Sequence, residues 1–180
     1  MNLPEKLQEH LAYPKLQVID ANTGLPEDTT AFNAFSQSAL ISFLTGLYKS
    51  TRTKETALVI SDYSDAASLL SGIFKNESEL ADAISAYTNE SAAASKEKLM
   101  EVATGWLAFQ KQIPADEKAG TDHLQNLMTS QRHEILRYLP GGLKLGDLLN
   151  DDTLEDKSNK MEGPISSLMH KIENSFSTSD

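Results

Sequence analysis

The feature that most constrains the fold is a long helical pattern that occurs twice. Apolar residues recur at helical spacing from Phe32 to Tyr48, and about sixty positions later the stretch from Ala93 to Leu107 repeats the pattern in a degenerate form. Each copy carries a Thr-Gly pair late in the helix, Thr45-Gly46 in the first and Thr104-Gly105 in the second. Because strand-type alternation is almost absent elsewhere, the sequence predicts an all-α, helical bundle-like domain.

The two Thr-Gly pairs have a physical interpretation. Glycine costs about 1 kcal/mol relative to alanine inside a helix, so two glycines at matched positions indicate sites where another helix comes close. Gly46 and Gly105 are therefore the predicted helix-packing residues, and a leucine at either site should destabilise the fold by overpacking. The alternative is that each helix ends one turn earlier than its apolar stripe suggests.

The apolar pattern divides the chain into two parts. Residues 1–149 form the predicted duplicated domain, with related helical units at about 16–75 and 76–149, and residues 150–180 form an acidic linker and a short amphipathic helix. Within the second unit, the spacing of apolar residues from Thr121 to Leu139 predicts one long helix, which Pro140-Gly141-Gly142 terminates. In the first unit, Gly24 has the position of a helix C-cap.

Composition excludes several classes of protein. The chain has 180 residues, 39% of them hydrophobic, and no cysteine, so disulfides, thiol nucleophiles and iron–sulfur clusters are excluded. The net charge is −10 and the basic residues are scattered, which argues against nucleic-acid binding. No apolar run reaches the length of about 18 residues that a membrane span needs, and the first residues do not resemble a signal peptide. These features predict a cytoplasmic protein.

No group of residues predicts a catalytic, cofactor or metal site. His133-Glu134 begins like the zinc motif H-E-x-x-H, but Arg137 stands where the second histidine is required. The acidic run at 150–156 lacks the alternating ligands and the glycine turn of a calcium loop, so a solvated linker is the better interpretation. We expect no cofactor, no bound metal and no catalytic constellation.

Two terminal segments are amphipathic. Leu3, Leu7 and Leu11 recur at helical spacing near the start, and a second apolar stripe lies in the last thirty residues. That stripe consists of Ile165, Leu168, Met169 and Ile172. Such faces are typical of helices that dock in a groove of a partner or of a second copy. The alternative is that both segments fold back onto their own domain.

The order and spacing of the helices resemble those of a known family. The matching stretches are Ser38–Leu47, Leu69–Phe74, Leu99–Leu107 and Leu127–Leu145. Together they are similar to the YidB-like family of bacterial proteins, a domain of unknown function, over about residues 16–149. The resemblance implies a helical, internally duplicated domain. It implies no catalytic residues.

The leading functional hypothesis is a non-enzymatic interaction or scaffold protein that binds a protein partner or a second copy of itself. The alternative is a small-ligand-binding protein or an enzyme whose site is assembled between the two helical units from distant residues. A deep pocket between the units, lined by converging ionisable groups, would favour the alternative.

Overall fold

Helices account for nearly all regular structure in the computed structural model, which describes residues 2–20, 22–28, 32–113 and 122–149. Within those ranges, α-helices are α1 Leu3–His10, α2 Ala34–Ser50, α3 Lys54–Ser61, α4 Ala66–Ile73, α5 Glu77–Thr88, α6 Ala92–Phe109, α7 His123–Ser130, α8 Arg132–Leu136 and α9 Leu145–Leu149. Two 3₁₀ turns, Gln110–Gln112 and Gly141–Leu143, complete them. The prediction of an all-α fold is confirmed.

Short polar side chains fix where most of these helices begin. Each accepts a hydrogen bond from a backbone N–H of the first turn, which would otherwise lack a partner. The capping residues are Asn2, Asn33, Thr53, Asp65, Asn76 and Ser91, for α1 to α6 in order. At the other end of α5, Asn89 adopts a left-handed conformation with φ of 60° and terminates the helix.

The two long helices, α2 and α6, form the centre of the domain. They run side by side in the same direction, because Lys98 lies over the Phe35 ring near their starts and Trp106 contacts Phe43 further along. The Phe43 and Trp106 ring centroids are 6.2 Å apart, and both side chains are fully buried. Such a tilted aromatic pair adds to the apolar area that the two helices bury together.

Burial differs strongly between α2 and α6. Every residue from Ser36 to Leu47 is buried, so α2 is enclosed on all sides. By contrast, α6 buries one face, with Leu99, Val102 and Trp106, and exposes Met100 and Glu101 on another. The remaining helices pack around this pair, and α5 lies along α6.

Two glutamine side chains hold the N-terminal arm, residues 2–20, against α2 and α8. Gln131 Oε1 accepts a hydrogen bond from Leu3 N at 2.9 Å. Gln37 accepts one from Gln17 N at 2.8 Å and donates to the carbonyl oxygens of Gln17 and Tyr138. With its leucines Leu3 and Leu7 fully buried, the first amphipathic segment folds back onto its own domain.

The prediction of one long helix from Thr121 to Leu139 was wrong. The structure has two short helices, α7 and α8, which meet at Gln131, where φ is −96° and ψ is 0°. The apolar spacing is continuous across the break, so periodicity alone gives no sign of it. The side chain at the break is the one that binds the backbone of α1, and that partner lies 128 residues earlier in the chain.

The prediction of a helix C-cap at Gly24 was also wrong. Gly24 has φ of +68° and lies in a turn beside an isolated antiparallel β-bridge between Ile19 and Pro26. The preceding segment is extended rather than helical, with Ile19 N donating to the carbonyl oxygen of Arg137 at 2.9 Å. The prediction gave Gly24 a conformation that glycine readily adopts, but it placed that conformation at the end of a helix instead of in a turn.

Candidate functional site

The first predicted packing residue, Gly46, lies where α2 meets the end of α4. A Cβ atom on Gly46 would lie 2.4 Å from the Phe74 ring and 2.7 Å from Cγ2 of Ile73. Both neighbours are buried, with exposed fractions of 4% and 6%. These side chains therefore occupy the space that any residue larger than glycine would need.

The second predicted packing residue, Gly105, has a different neighbour. A Cβ atom there would lie 2.3 Å from Cδ2 of Leu11, just after α1. Gly105 and Leu11 are both only half-buried. The contact thus joins α6 to the N-terminal arm at the edge of the core, and the far end of one leucine side chain is what stands in the way.

The predicted docking residues Ile165, Leu168, Met169 and Ile172 lie outside the described residues, as do the acidic linker and the C-terminal helix predicted for 150–180. The division of residues 1–149 into two related units stays a prediction.

A groove between α5 and α9 combines apolar and charged side chains. Its volume is about 570 Å³, and it is open along one side. The residues that line it are Glu79, Ala83, Ala86, Tyr87, Gly142, Leu143, Lys144, Asp147 and Leu148. Most of its surface is apolar, and the three charged side chains come from both of its walls.

Two glycines set the shape of this groove. A Cβ atom on Gly142 would lie 2.7 Å from Cε2 of Tyr87, so the 3₁₀ turn at 141–143 presses directly against the tyrosine ring. Behind the same turn, a Cβ atom on Gly141 would lie 3.4 Å from Cα of Gly24. The turn is therefore held between α5 and the loop that carries Gly24.

The segment after the turn places the second wall. Lys144 adopts a left-handed conformation, with φ of 47°, and redirects the chain into α9. Leu145 and Leu149 anchor α9 in the core with exposed fractions of 1% and 8%, which leaves Asp147 and Leu148 to line the groove. A left-handed backbone at a lysine is uncommon, and it is maintained here by the packing on both sides.

Charge is distributed unevenly around the groove. Glu79 and Asp147 are acidic, Lys144 is basic, and none of the three forms an ion pair with another described residue. Glu79 also accepts a hydrogen bond from Nδ2 of Asn76 at 3.1 Å. Burial raises the pKa of the Tyr87 hydroxyl above its ordinary value.

The residues of the groove were not predicted as a site. Gly141-Gly142 was predicted only as part of a helix stop. The signal that was available is the spacing of Glu79, Ala83 and Tyr87, which places them on one stripe of α5. Nothing in the sequence indicated that α9, more than fifty residues later, would form the opposite wall.

The groove does not lie between the two predicted units, because all nine of its residues belong to 76–149. A cavity of about 20 Å³ does lie at the junction, between Phe74 and Lys75 on one side and Leu148 and Leu149 on the other. That volume is about the size of one water molecule. The alternative of a ligand site assembled between the units therefore stays a prediction.

A second polar cluster joins α1 to α8. Tyr138 donates its hydroxyl proton to Oε1 of Glu5 at 2.7 Å, and Asn2 donates to Oε2 of Glu134 at 3.3 Å. Burial, followed by the contact with Glu5, raises the pKa of Tyr138. These groups bond to one another across the interface, which is the arrangement of a structural contact.

A small apolar patch lies on α3. Leu58 and Val59 are 41% and 57% exposed, and the helix is only eight residues long. Acidic Glu55 and Asp62 lie one turn away on either side of this pair. The patch consists of these two side chains on one helix, whereas the groove has side chains from both α5 and α9.

Searches of the described residues for other kinds of site give two further findings. Among them, no three histidine, aspartate or glutamate side chains are grouped so that they could hold a metal ion. No helix in the same ranges combines the length and the apolar character that crossing a bilayer requires.

Protein-family models, curated proteins and solved structures were compared with the chain, and none of them matches it. The resemblance to the YidB-like family therefore stays a prediction that rests on the quoted stretches.

Proposed function

We propose that this chain is a non-enzymatic interaction protein that binds an amphipathic helical segment in the groove between α5 and α9. The observation that carries the proposal is the groove itself, which has an apolar surface contributed by two elements and charged side chains on both walls. Grooves of this kind accept the apolar face of a helix, and charged groups at the edges select its direction.

The dimensions of the groove support a helical ligand. Along α5, its lining residues extend from Glu79 to Tyr87, nine residues that span about 12 Å. Two turns of a bound helix have nearly the same length. The alanines Ala83 and Ala86 leave room for larger side chains of a ligand, and the Tyr87 ring provides a broad apolar contact.

Filling the groove tests the proposal. Ala86→Trp should abolish binding of the partner segment, whereas Ala108→Trp, at an exposed alanine of α6 outside the groove, should leave it unchanged. A photo-reactive residue at position 86 should cross-link to a segment with apolar residues spaced three and four apart. Equal binding by both tryptophan variants, or cross-links to segments without that spacing, would contradict the proposal.

A small-molecule site is the second candidate, and one observation favours it. The volume of about 570 Å³ falls in the range typical of ligand pockets, and Lys144 and Asp147 bring opposite charges to one wall. An open groove buries less of a small ligand than an enclosed pocket does, which is why a helix is preferred. A small molecule that co-purifies with the protein and is lost in Ala86→Trp would favour this candidate instead.

A further inference from the structure

We propose that the groove binds a segment of the same chain, the apolar stripe formed by Ile165, Leu168, Met169 and Ile172. This inference rests on the proposed function, because it names the resident ligand of the same groove. A competing partner would then have to displace the chain's own segment. Three observations lead to this occupant, namely where the described chain ends, the length of the stripe and the charges around it.

The described chain ends beside the groove. Its last element is α9, which contributes Asp147 and Leu148 to one wall and ends at Leu149. Ile165 follows sixteen residues later. A chain of that length reaches at most about 50 Å, several times the length of the groove. Any segment tethered this closely is present at a high effective concentration, on the order of millimolar, so even weak contacts give substantial occupancy.

The stripe fits the groove in length and pattern. The positions from Ile165 to Ile172 cover about 10 Å of helix, against about 12 Å between Glu79 and Tyr87 on α5. The four apolar residues stand at i, i+3, i+4 and i+7, the spacing that presents one continuous face. Gly163-Pro164 comes just before them, and proline is favoured in the first turn of a helix.

The charges of the two surfaces are complementary. The groove presents Glu79 and Asp147, and the cation Lys171 lies within the segment. At the same time, the single cation of the lining, Lys144, can face Glu162 or Glu173, which flank the stripe. The patch at Leu58 and Val59 also has acidic neighbours, but only two exposed apolar side chains form it, so it is the weaker site.

The test uses the full chain, which contains no cysteine, so an introduced thiol is the sole one. Ala86→Cys places a thiol in the groove, and Ala108→Cys places one on an exposed surface outside it. We expect the groove thiol to react about tenfold more slowly with a bulky maleimide, the factor that corresponds to about nine-tenths occupancy. Reaction at equal rates would overturn the proposal.

Matched tail variants identify what protects the thiol. Leu168→Asp combined with Met169→Asp should restore fast labelling in the Ala86→Cys background. Ser166→Asp combined with Ser167→Asp adds the same charge at positions that lie outside the apolar stripe of a helix, and should leave the protection intact. Protection that survives the first pair would exclude this segment as the occupant.

Two alternatives, the segment of a second copy in the groove and binding of the segment to the α3 patch, would give other results. Protection that strengthens with protein concentration would show that the segment of a second copy fills the groove, which contradicts docking within one chain. If the thiol of Val59→Cys is protected and the thiol of Ala86→Cys is not, the segment binds the α3 patch. That result would also overturn the proposal.

The inference and the proposed function fail in different ways. If the groove thiol is unprotected in the purified chain but Ala86→Trp abolishes partner binding, the groove is an interaction site and its own segment is not the ligand. If the thiol is protected by the segment but Ala86→Trp does not affect any partner, the contact is an internal structural one and the proposed function is wrong.

Discussion

The helices α2 and α6 carry the same Thr-Gly pair in two different environments. In both, the threonine hydroxyl donates to the carbonyl oxygen four residues earlier, Thr45 to Ile41 at 2.7 Å and Thr104 to Met100 at 2.8 Å. Thr45 is nevertheless fully buried whereas Thr104 is exposed. The local geometry of the pair therefore follows from its sequence, while its energetic importance follows from what packs around the helix.

The glycines show the same contrast. Gly46 faces two buried side chains at the end of α4, Ile73 and Phe74. Gly105 faces the end of one half-buried leucine. Two similar dipeptides should thus tolerate substitution very differently, because the cost of overpacking depends on whether the neighbour can yield.

The largest effect is expected at Gly46. Gly46→Leu should lower the free energy of unfolding by about 3 kcal/mol, since the added side chain meets the Phe74 ring and Ile73. Chemical denaturation of the two proteins measures the difference. Gly46→Ala should also lose stability, and replacing the opposing ring in Phe74→Leu should recover part of that loss. An unchanged midpoint for Gly46→Leu would show that the interface at α4 is loosely packed.

A smaller effect is expected at Gly105. Gly105→Leu should cost about 1 kcal/mol or less, because the clash with Leu11 is partly offset by the better helix propensity of leucine. Thermal unfolding compares it with Gly46→Leu, and Leu11→Ala in the Gly105→Leu background should recover stability. Equal losses at the two glycines would mean that burial does not distinguish the two helices.

Buried serines extend the comparison. Ser42 on α2 and Ser95 on α6 are both fully buried. The Ser95 hydroxyl donates to the carbonyl oxygen of Ser91 at 3.0 Å, whereas that of Ser42 has no hydrogen-bond partner among the described residues. We expect Ser42→Ala to stabilise the protein by about 1 kcal/mol and Ser95→Ala to destabilise it by about 0.5 kcal/mol. Denaturation curves that shift in the same direction for both variants would refute this distinction.

The smallest effect on stability is expected at Tyr13, which lies beside α6, and it appears at alkaline pH. Burial, followed by the nearby Glu101 carboxylate, raises the pKa of Tyr13 far above its ordinary value, so the folded protein keeps this hydroxyl protonated when the unfolded chain loses the proton. Stability from this group is therefore complete below about pH 10 and declines above it. Tyr13→Phe should flatten that decline in unfolding measured between pH 9 and pH 11, values chosen around the ordinary pKa of about 10. A slope identical to that of the parent would contradict it.

The apolar spacing predicted α2 and α6 to within a few residues of their observed ends, because helical periodicity is a local signal. The apolar spacing did not identify Asn33, the residue that caps α2. What could not be predicted is set by residues far apart in the chain. The break at Gln131 depends on Leu3, and the shape of the groove depends on Gly142 against Tyr87.

The groove between α5 and α9 depends on contacts between residues that are distant in the chain. Tyr87 and Lys144 belong to different elements, and each has an ordinary local context. Only the folded chain brings them to one groove. The interpretation of the Thr-Gly pairs had the same limit, because the sequence pointed to close approach but named neither Phe74 nor Leu11 as the neighbour.

The pairing of α1 with α8 has a consequence during synthesis of the chain. Leu3 N binds a side chain 128 residues downstream, and Glu5 accepts from Tyr138, 133 residues downstream. At about 5 to 20 residues per second, a ribosome needs roughly 6 to 26 seconds to supply those partners. For that time, the apolar face of the nascent N-terminal helix lacks its native contacts with α8, so the first helix to be synthesised must wait for one of the last.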